Sequence, residues 1–251
     1  MDFLWWDWLC DNVMTQTVLV YVAGTLILLK VLSKIYRIYY PRVFAYLMYR
    51  VFSPIGERKS EKAKRKMFQD LPEVAKRLKV NDLSILEIGV GTGTNFMFYP
   101  KGTTVYPLNP NPSFNQYLEE NKKVNNHVEV KPFIECYGED MKSHVEDQSV
   151  DAVVCTLTLC SVTDTDAVLS EVKRVLKRGG KFYFMEHVAT TQGTWFYSFQ
   201  NAVTPFTKFF GDNCHFNRET WKAIAKAGFA DVQHETRRNG IMVILCGTAT
   251  K

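Results

Sequence analysis

Residues 85–96 read ILEIGVGTGTNF, with the acid Glu87 two residues ahead of Gly89-Val90-Gly91-Thr92-Gly93. Glycines in such a run let the backbone turn tightly and approach a ligand closely. A dinucleotide site sets its third glycine one residue later, in G-x-G-x-x-G, to seat a pyrophosphate on a helix N-terminus. The G-x-G-x-G spacing behind an acid suits a nucleoside without a pyrophosphate, S-adenosylmethionine, and the chemistry would be methyl transfer. This argues against a nicotinamide dehydrogenase.

Two further landmarks belong to the same chemistry. The end of a second strand, 22 residues after Glu87, should carry a hydrogen-bond acceptor for the ribose hydroxyls, and Asn109 of Leu108-Asn109-Pro110-Asn111-Pro112 stands there. Its amide oxygen can accept, but without the charge that roughly doubles the strength of such a bond. Glu139 and Asp140, in Gly138-Glu139-Asp140-Met141, sit where an acid would meet the adenine amino group; a solvated turn is the plain alternative. With Glu87, Gly89, Gly91, Gly93, Asn95 and Thr156 these form the expected cofactor-binding set. The stretch Cys155-Thr156-Leu157-Thr158-Leu159-Cys160-Ser161 lacks the [DN]-P-P-[YFW] motif that holds a planar nitrogen, so amino methylation of adenine or glutamine is not expected.

These residues need a scaffold. From Leu83 onward short apolar runs alternate with helical stretches, which implies an α/β domain with a mainly parallel sheet covered on both faces. Strands are expected at 84–88, 103–108, 128–134, 150–157, 181–187, 232–237 and 242–247, and helices at 61–78, 112–123, 164–176 and 217–228, with a helix following the glycine bend. Within 164–176, Val168, Leu169, Val172, Val175 and Leu176 fall on one helical face. Gly179-Gly180 should end that helix and turn the chain into the fifth strand. A helix, a short strand and a final strand after the fifth fit, by fold analogy and not by spacing, the seven-stranded Rossmann-like sheet of class I methyltransferases, whose last strand inserts antiparallel beside the fifth.

The N-terminus has another character. Residues 13–29, VMTQTVLVYVAGTLILL, carry no charge, and a helix over 13–32 would span about 30 Å, the thickness of a bilayer core. Trp5, Trp6 and Trp8 precede it and Tyr36, Tyr39 and Tyr40 follow, as interfacial aromatics do. Asp2, Asp7 and Asp11 lie before it and Lys30, Lys34, Arg37 and Arg42 after, which directs the following domain to the cytosol. A shallow or hairpin insertion is the alternative to a spanning helix. Pro41 should break or kink the helix, leaving an interfacial or domain-packed helix over 42–52. Residues 1–66 hold eleven basic and five acidic residues, against twenty and twenty-one in 67–251. The basic excess therefore sits beside the apolar stretch, where it suits anionic lipid rather than nucleic acid. The expected division is 1–56 for anchor and interfacial segment, 57–80 for a basic linker and lead-in helix, and 81–251 for the catalytic domain.

Six cysteines, Cys10, Cys136, Cys155, Cys160, Cys214 and Cys246, form no C-x-x-C. Reduced, buried thiols are the plain reading, and no metal site is expected.

Several segments carry a family resemblance: LEIGVGTGTNFMFYP, PNPSF, GEDM, VDAVVCTLTLCSV, EVKRVLKRGGKFYFMEHV, and GDNC followed by RETW. On these the chain resembles the methyltransferase-like protein 7 family, the membrane-associated alkyl-thiol S-methyltransferases. It departs from the family pattern at Asn109, where that pattern has Asp, and at Asn213, where it has Gly. The resemblance implies methyl transfer to a small lipophilic thiol at the endoplasmic reticulum or a lipid droplet, with membrane lipids as partners. It also implies that the Glu186-His187 and Gly211-Asp212 segments border the acceptor pocket. His187 and Asp212 are then the catalytic candidates, with His215 behind them. The aromatic-rich insertion 188–216 reads as an apolar lid, or as a membrane-dipping or core-packed patch. O- or C-methylation of a lipid or quinone, and a non-enzymatic protein of the lipid surface that retains the fold, remain open alternatives.

Overall fold

The structure is a computed structural model that describes residues 3–251, and the side chains of all of these except 3–12 and 239. The flanking Trp5, Trp6, Trp8, Asp2, Asp7 and Asp11 thus lie outside the described side chains. Contacts divide the chain into two compact units, Met1–Val43 and Phe44–Lys251.

Helix α1 spans Phe3–Leu47. Its residues 13–39 are exposed throughout, and among the described residues it holds the one stretch long and apolar enough to cross a membrane. The Thr17 and Thr25 hydroxyls donate to the carbonyls of Val13 and Tyr21, so both polar side chains are satisfied within the helix, as a lipid environment requires. The break expected at Pro41 does not occur. A proline ring removes one hydrogen bond to the carbonyl four residues back, and the turns on both sides hold. The irregularity comes later, as a π-helical turn at Met48–Phe52.

The second unit is built on a seven-stranded sheet: β1 Ser84–Ile88, β2 Thr104–Leu108, β3 Glu129–Val130, β4 Val150–Thr156, β5 Leu176–His187, β6 Asp231–Asn239 and β7 Met242–Thr250. The order is β3-β2-β1-β4-β5-β7-β6, with only β7 antiparallel to its neighbours β5 and β6. The remaining helices are α2 Ser53–Phe68, α3 Leu71–Leu78, α4 Asn115–Val124, α5 Thr165–Val175, α6 Trp195–Phe210 and α7 Thr220–Lys226. Alternate strand residues feed two cores. Ile85, Val154 and Tyr183 pack under Phe68, Leu71 and Leu118 of α2, α3 and α4. Leu86, Val153 and Phe184 pack under Val172, Phe196 and Ile224 of α5, α6 and α7.

Several local expectations give way to side-chain chemistry. The helix expected over 61–78 is two helices, because Pro72 starts α3 and Asp70 between them binds Lys181 and the Tyr183 hydroxyl on β5. The strand expected over 128–134 shrinks to Glu129–Val130, since Pro132 offers no N–H to the ladder; Ile134 rejoins β2 only through a bridge to Leu108. The glycine bend leads into one 3-10 turn, Phe96–Phe98, and not a full helix: Tyr99 must be extended ahead of Pro100. Gly179 and Gly180 do not end α5, which stops at Val175. They lie inside β5, at the register shift opposite β4, where a Cβ on Gly180 would stand 2.9 Å from the Asp151 carbonyl oxygen.

Candidate active site

Strand order reverses at β1 and β4, and the crevice beyond their C-terminal ends is where open α/β sheets bind ligands. The glycine bend closes this edge. Leu108 O accepts the N–H groups of Gly89 at 2.8 Å and Val90 at 3.1 Å. All three glycines have positive φ, yet they face different surroundings. A Cβ on Gly89 would stand 1.9 Å from Thr158 Oγ1, and one on Gly93 would meet Phe96 and Leu118 below 3.0 Å. Around Gly91 only Gly89 O, at 3.9 Å, comes within 4 Å. The bend is pinned to protein at its two ends and open at its middle.

Behind it lies a buried polar group. Glu87 is 1% exposed; its Oε1 accepts from Asn95 Nδ2 at 2.7 Å and its Oε2 from the Tyr99 hydroxyl at 2.7 Å. Asn95 Nδ2 also donates to Thr156 Oγ1 at 3.0 Å. Burial pushes the Glu87 carboxyl up to about 7, against the pull of the Tyr99 and Asn95 hydrogen bonds. Burial also pushes the Tyr99 hydroxyl well up. Asn95 Oδ1 is buried with no hydrogen-bond partner among the described residues. An orphaned acceptor of this kind costs about 1–3 kcal/mol, and a ligand N–H beside it would recover that. An ammonium-bearing nucleoside on the open side of the bend fits both observations.

The structure thus brings Glu87, Asn95, Thr156 and the three glycines into one group. Asn109 stands across from them at the end of β2, 8% exposed, with its Oδ1 accepting the Asn111 N–H at 2.8 Å in an Asx turn. One lone pair of its Oδ1 is therefore engaged in shaping the loop, which leaves the second lone pair and the amide nitrogen for other partners. Glu139 and Asp140 separate in role. Glu139 Oε1 accepts the N–H groups of Thr163, at 2.8 Å, and Asp164, at 3.4 Å, which fixes the entry to α5. Asp140 is the exposed member of the pair.

Sequence reading missed four residues here. Lys64 of α2 is 5% exposed, paired with Glu57, and places Nζ 3.5 Å from Thr94 Oγ1; Ser53 Oγ stands 3.4 Å from Thr92 Oγ1. The basic stretch of α2 thus lies on the glycine bend, a role visible only in Lys64 sharing a helical face with Phe68. Tyr99 was hidden because its partner is set by the 3-10 turn. Leu157, just past β4, holds φ at +55° with its side chain 43% exposed, a left-handed conformation costly for a branched apolar residue.

On the acceptor side His187 ends β5. Its ring packs on Phe216 with centroids 4.8 Å apart, and its Nδ1 lies 3.4 Å from Cys214 Sγ and 3.7 Å from Cys160 Sγ. Buried Glu186 accepts the N–H groups of Thr158 at 3.2 Å and Cys160 at 3.1 Å, pinning the loop after β4. Arg218 Nη1 donates to the carbonyls of Leu159 and Val162 at 2.6 and 2.7 Å, and Nη2 stands 2.7 Å from His215 Nδ1. His215 is thereby engaged as a clamp, and burial with Arg218 beside it lowers its pKa. Asp212 is exposed on the turn after α6, where Asp212 and Asn213 hold φ of +51° and +62°. Asn213 thus adopts the conformation a glycine would, and its Nδ2 donates to Ser161 O at 2.7 Å. The 188–216 insertion carries α6, with Phe196, Gln200 and Thr204 buried and Trp195, Phe206, Phe209 and Phe210 exposed.

Comparison with known proteins agrees with this geometry. Residues 86–184 match the model of a methyltransferase domain family. The chain is 43% identical over 197 residues to thiol S-methyltransferase TMT1B of Rattus norvegicus, covering 78% of each protein. It is 43% identical over 190 residues to thiol S-methyltransferase TMT1A of Homo sapiens, covering 76% of each. Among solved structures, a methyltransferase fold from Bacillus halodurans superposes with a TM-score of 0.53 at 14% identity, covering 73% of this chain and 99% of that one, which bears on the fold alone.

Proposed function

The chain belongs to the thiol S-methyltransferase family of class I methyltransferases; from that membership we infer that it methylates the sulfur of a thiol with S-adenosylmethionine, and from the exposed apolar stretch of α1 that it does so at a membrane surface, on a small lipophilic acceptor. The observation that carries the donor side is the glycine bend, open at Gly91 and backed by the orphaned Asn95 Oδ1. Gly91 and Asn95 hold the amino-acid end of the donor, with Glu87 and Thr156 fixing Asn95. Asn109 meets the ribose and Asp140 the adenine edge, while Gly89, Gly93 and Glu139 shape the loops that present them.

When bound, S-adenosylmethionine supplies an electrophilic methyl group whose bond to the sulfonium breaks as the new carbon–sulfur bond forms, leaving the electron pair on the departing thioether. The protein's work is alignment and water exclusion. A thiol as acidic as cysteine, with a pKa of about 8.5, is a few per cent ionised at neutral pH, and a simple alkyl thiol is ionised less, so the site has to favour the thiolate. His187 is the group assigned to that task. Asp212, on the solvent side of its turn, takes the released proton outward. The anchor and basic flank of α1 and the exposed aromatics of α6 suit an acceptor that partitions into lipid, at the cytosolic face of the endoplasmic reticulum or a lipid droplet.

The test is a panel of alkyl thiols, phenols and quinones offered with labelled S-adenosylmethionine. Label should pass to the thiols. Transfer to phenols or quinones in preference would move the assignment to O- or C-methylation, and calorimetry showing no cofactor binding would move it out of enzymes. His187→Ala and Asp212→Asn should each lower turnover while leaving cofactor binding in place; wild-type rates would remove the residue from the mechanism.

A further inference from the structure

Three residues from three separate elements converge on the acceptor side: Cys160 follows β4, His187 ends β5 and Cys214 follows α6. The two Sγ atoms stand 3.3 Å apart, and His187 Nδ1 is 3.4 and 3.7 Å from them, all three donors lying within 4.8 Å of one another. Two sulfurs and an imidazole nitrogen are a donor set that suits zinc. Zinc holds sulfur at about 2.3 Å and imidazole nitrogen at about 2.0–2.1 Å, so a tetrahedral site separates such donors by roughly 3.5–3.8 Å. The observed triangle is within about half an ångström of that size. A disulfide needs its sulfurs at about 2.05 Å, more than an ångström closer than they stand, and makes no use of the histidine.

The ligands are held in advance. Glu186 accepts the Cys160 N–H, and Asn213 Nδ2 ties the Cys214 turn to Ser161, next to Cys160. The Thr207 hydroxyl donates to Cys214 O at 2.7 Å. Cys160 and Cys214 are buried and His187 is partly exposed, and among the described residues no fourth Cys, His, Asp or Glu joins the three, so a tetrahedral ion here would keep one position for a ligand from outside the chain. Three protein ligands with an open fourth position are the arrangement of a catalytic zinc, not of a structural one.

We propose that Cys160, His187 and Cys214 bind a zinc ion whose fourth position takes the sulfur of the acceptor thiol. The identity of that fourth ligand rests on the thiol-transfer reading above; the ion itself does not. On coordination each sulfur, protein and acceptor alike, gives up one proton to solvent as its bond to zinc forms, and no electrons change hands. The acceptor is then held as a thiolate at neutral pH. Methylation makes it a neutral thioether, a weaker ligand, which vacates the position. His187 favours the thiolate through the ion it holds.

Full-length protein purified in mild detergent under reducing conditions should contain stoichiometric zinc. After chelator stripping, cobalt(II) should produce a thiolate charge-transfer band and tetrahedral d–d bands, and an added alkane thiol should shift the d–d bands with no methyl donor present. Stripping should lower thiol turnover on the order of a hundredfold, with zinc restoring it. Cys160→Ser and Cys214→Ser should each abolish the cobalt band while S-adenosylmethionine binds as before; the stripped and reconstituted wild type serves the same purpose if either variant folds poorly. Sub-stoichiometric zinc with no cobalt band overturns the site, and a Cys160–Cys214 disulfide in the metal-free protein would make the pair a redox couple instead. Full turnover after complete stripping removes zinc from the reaction and leaves thiol transfer standing. Stoichiometric zinc in a protein that methylates no thiol upholds the ion and sinks the thiol reading.

Discussion

The donor and acceptor edges of the crevice bury polar groups in opposite ways. On the donor edge Glu87, Asn95 and Tyr99 lie within thirteen residues of one another and satisfy each other, apart from a single amide oxygen. On the acceptor edge Cys160, His187 and Cys214 come from positions 27 residues apart in turn. They are held by ties from outside the cluster: Glu186, Arg218 and Asn213. One edge is preorganised by local chain geometry and the other by long-range clamps. Damage to the first should therefore fall on the bend itself, and damage to the second should spread to acceptor affinity without touching the donor.

The sharpest way to break that contrast is at the glycines. Gly89→Ala forces a Cβ to 1.9 Å from Thr158 Oγ1 at a φ of +70°, and overpacking plus left-handed strain should cost about 3 kcal/mol or more of stability. Gly91→Ala adds a Cβ into open space and should cost about 1 kcal/mol in stability from its φ alone, yet weaken cofactor binding on the order of tenfold or more, because its new methyl faces the ligand side. Thermal denaturation beside calorimetry separates the two. Equal stability loss in both variants would show that the bend is not open at its middle.

Glu87 gives a pH test of the same edge. Its carboxyl is held up to about 7 by burial, above its ordinary 4.5. The folded state therefore binds the proton more tightly than the unfolded chain does, and unfolding free energy falls as pH rises between those values. The penalty is absent below about 4.5 and complete above about 7, reaching roughly 3 kcal/mol. Glu87→Gln keeps an acceptor for Asn95 and should flatten this slope, so that denaturant midpoints of variant and wild type converge at low pH and diverge, in the variant's favour, towards pH 8. Parallel curves would mean that Glu87 keeps its charge when buried.

Arg218 tests the acceptor edge. Arg218→Ala removes the donors to Leu159 and Val162 carbonyls that hold the loop before α5, at about 2 kcal/mol for charge-assisted bonds. The loop carrying Cys160 loosens, so the KM for a thiol should rise several-fold while the cofactor dissociation constant stays put. A matched rise in both would mean that the two edges are one mechanical unit.

These two edges also divide in how far they could be read from the chain. The glycine bend, its acid and the strand pattern around it are local, and periodicity and spacing locate them. The two-faced packing follows from the same alternation, whereas the antiparallel place of β7 beside β5 is legible only by analogy with the methyltransferase fold. What stayed hidden depended on partners distant in sequence. Asp70 splits a helix because Lys181 and Tyr183 lie on β5. Lys64 looks like one charge in a solvated run until Thr94 and Glu57 appear beside it. Cys160 and Cys214 read as separate inert thiols because no short spacing links them, and only the meeting of two loops above β5 makes a cluster. Pro132 and Pro100 were visible in the chain, but how far a missing N–H shortens a strand, or an extended residue ahead of a proline shortens a helix, is decided by the neighbouring residues.

Asn109 joins the local and the distant in one residue, and the effect expected there is the smallest. Its Oδ1 shapes the loop by accepting the Asn111 N–H, so what it can offer the ribose is the second, uncharged lone pair of that oxygen and an amide donor. Asn109→Asp would keep that turn with one carboxylate oxygen and present the other to the ribose hydroxyls. A charged acceptor in place of a neutral one contributes about 1 kcal/mol, and the cofactor dissociation constant should fall several-fold. The gain has an opposing term, since the position is 8% exposed and an unliganded carboxylate there is poorly solvated. The ligand-free variant should therefore melt slightly lower than wild type, and the cofactor-saturated variant higher. Calorimetry with paired melting curves checks both signs, and an unchanged or larger dissociation constant would take Asn109 away from the ribose.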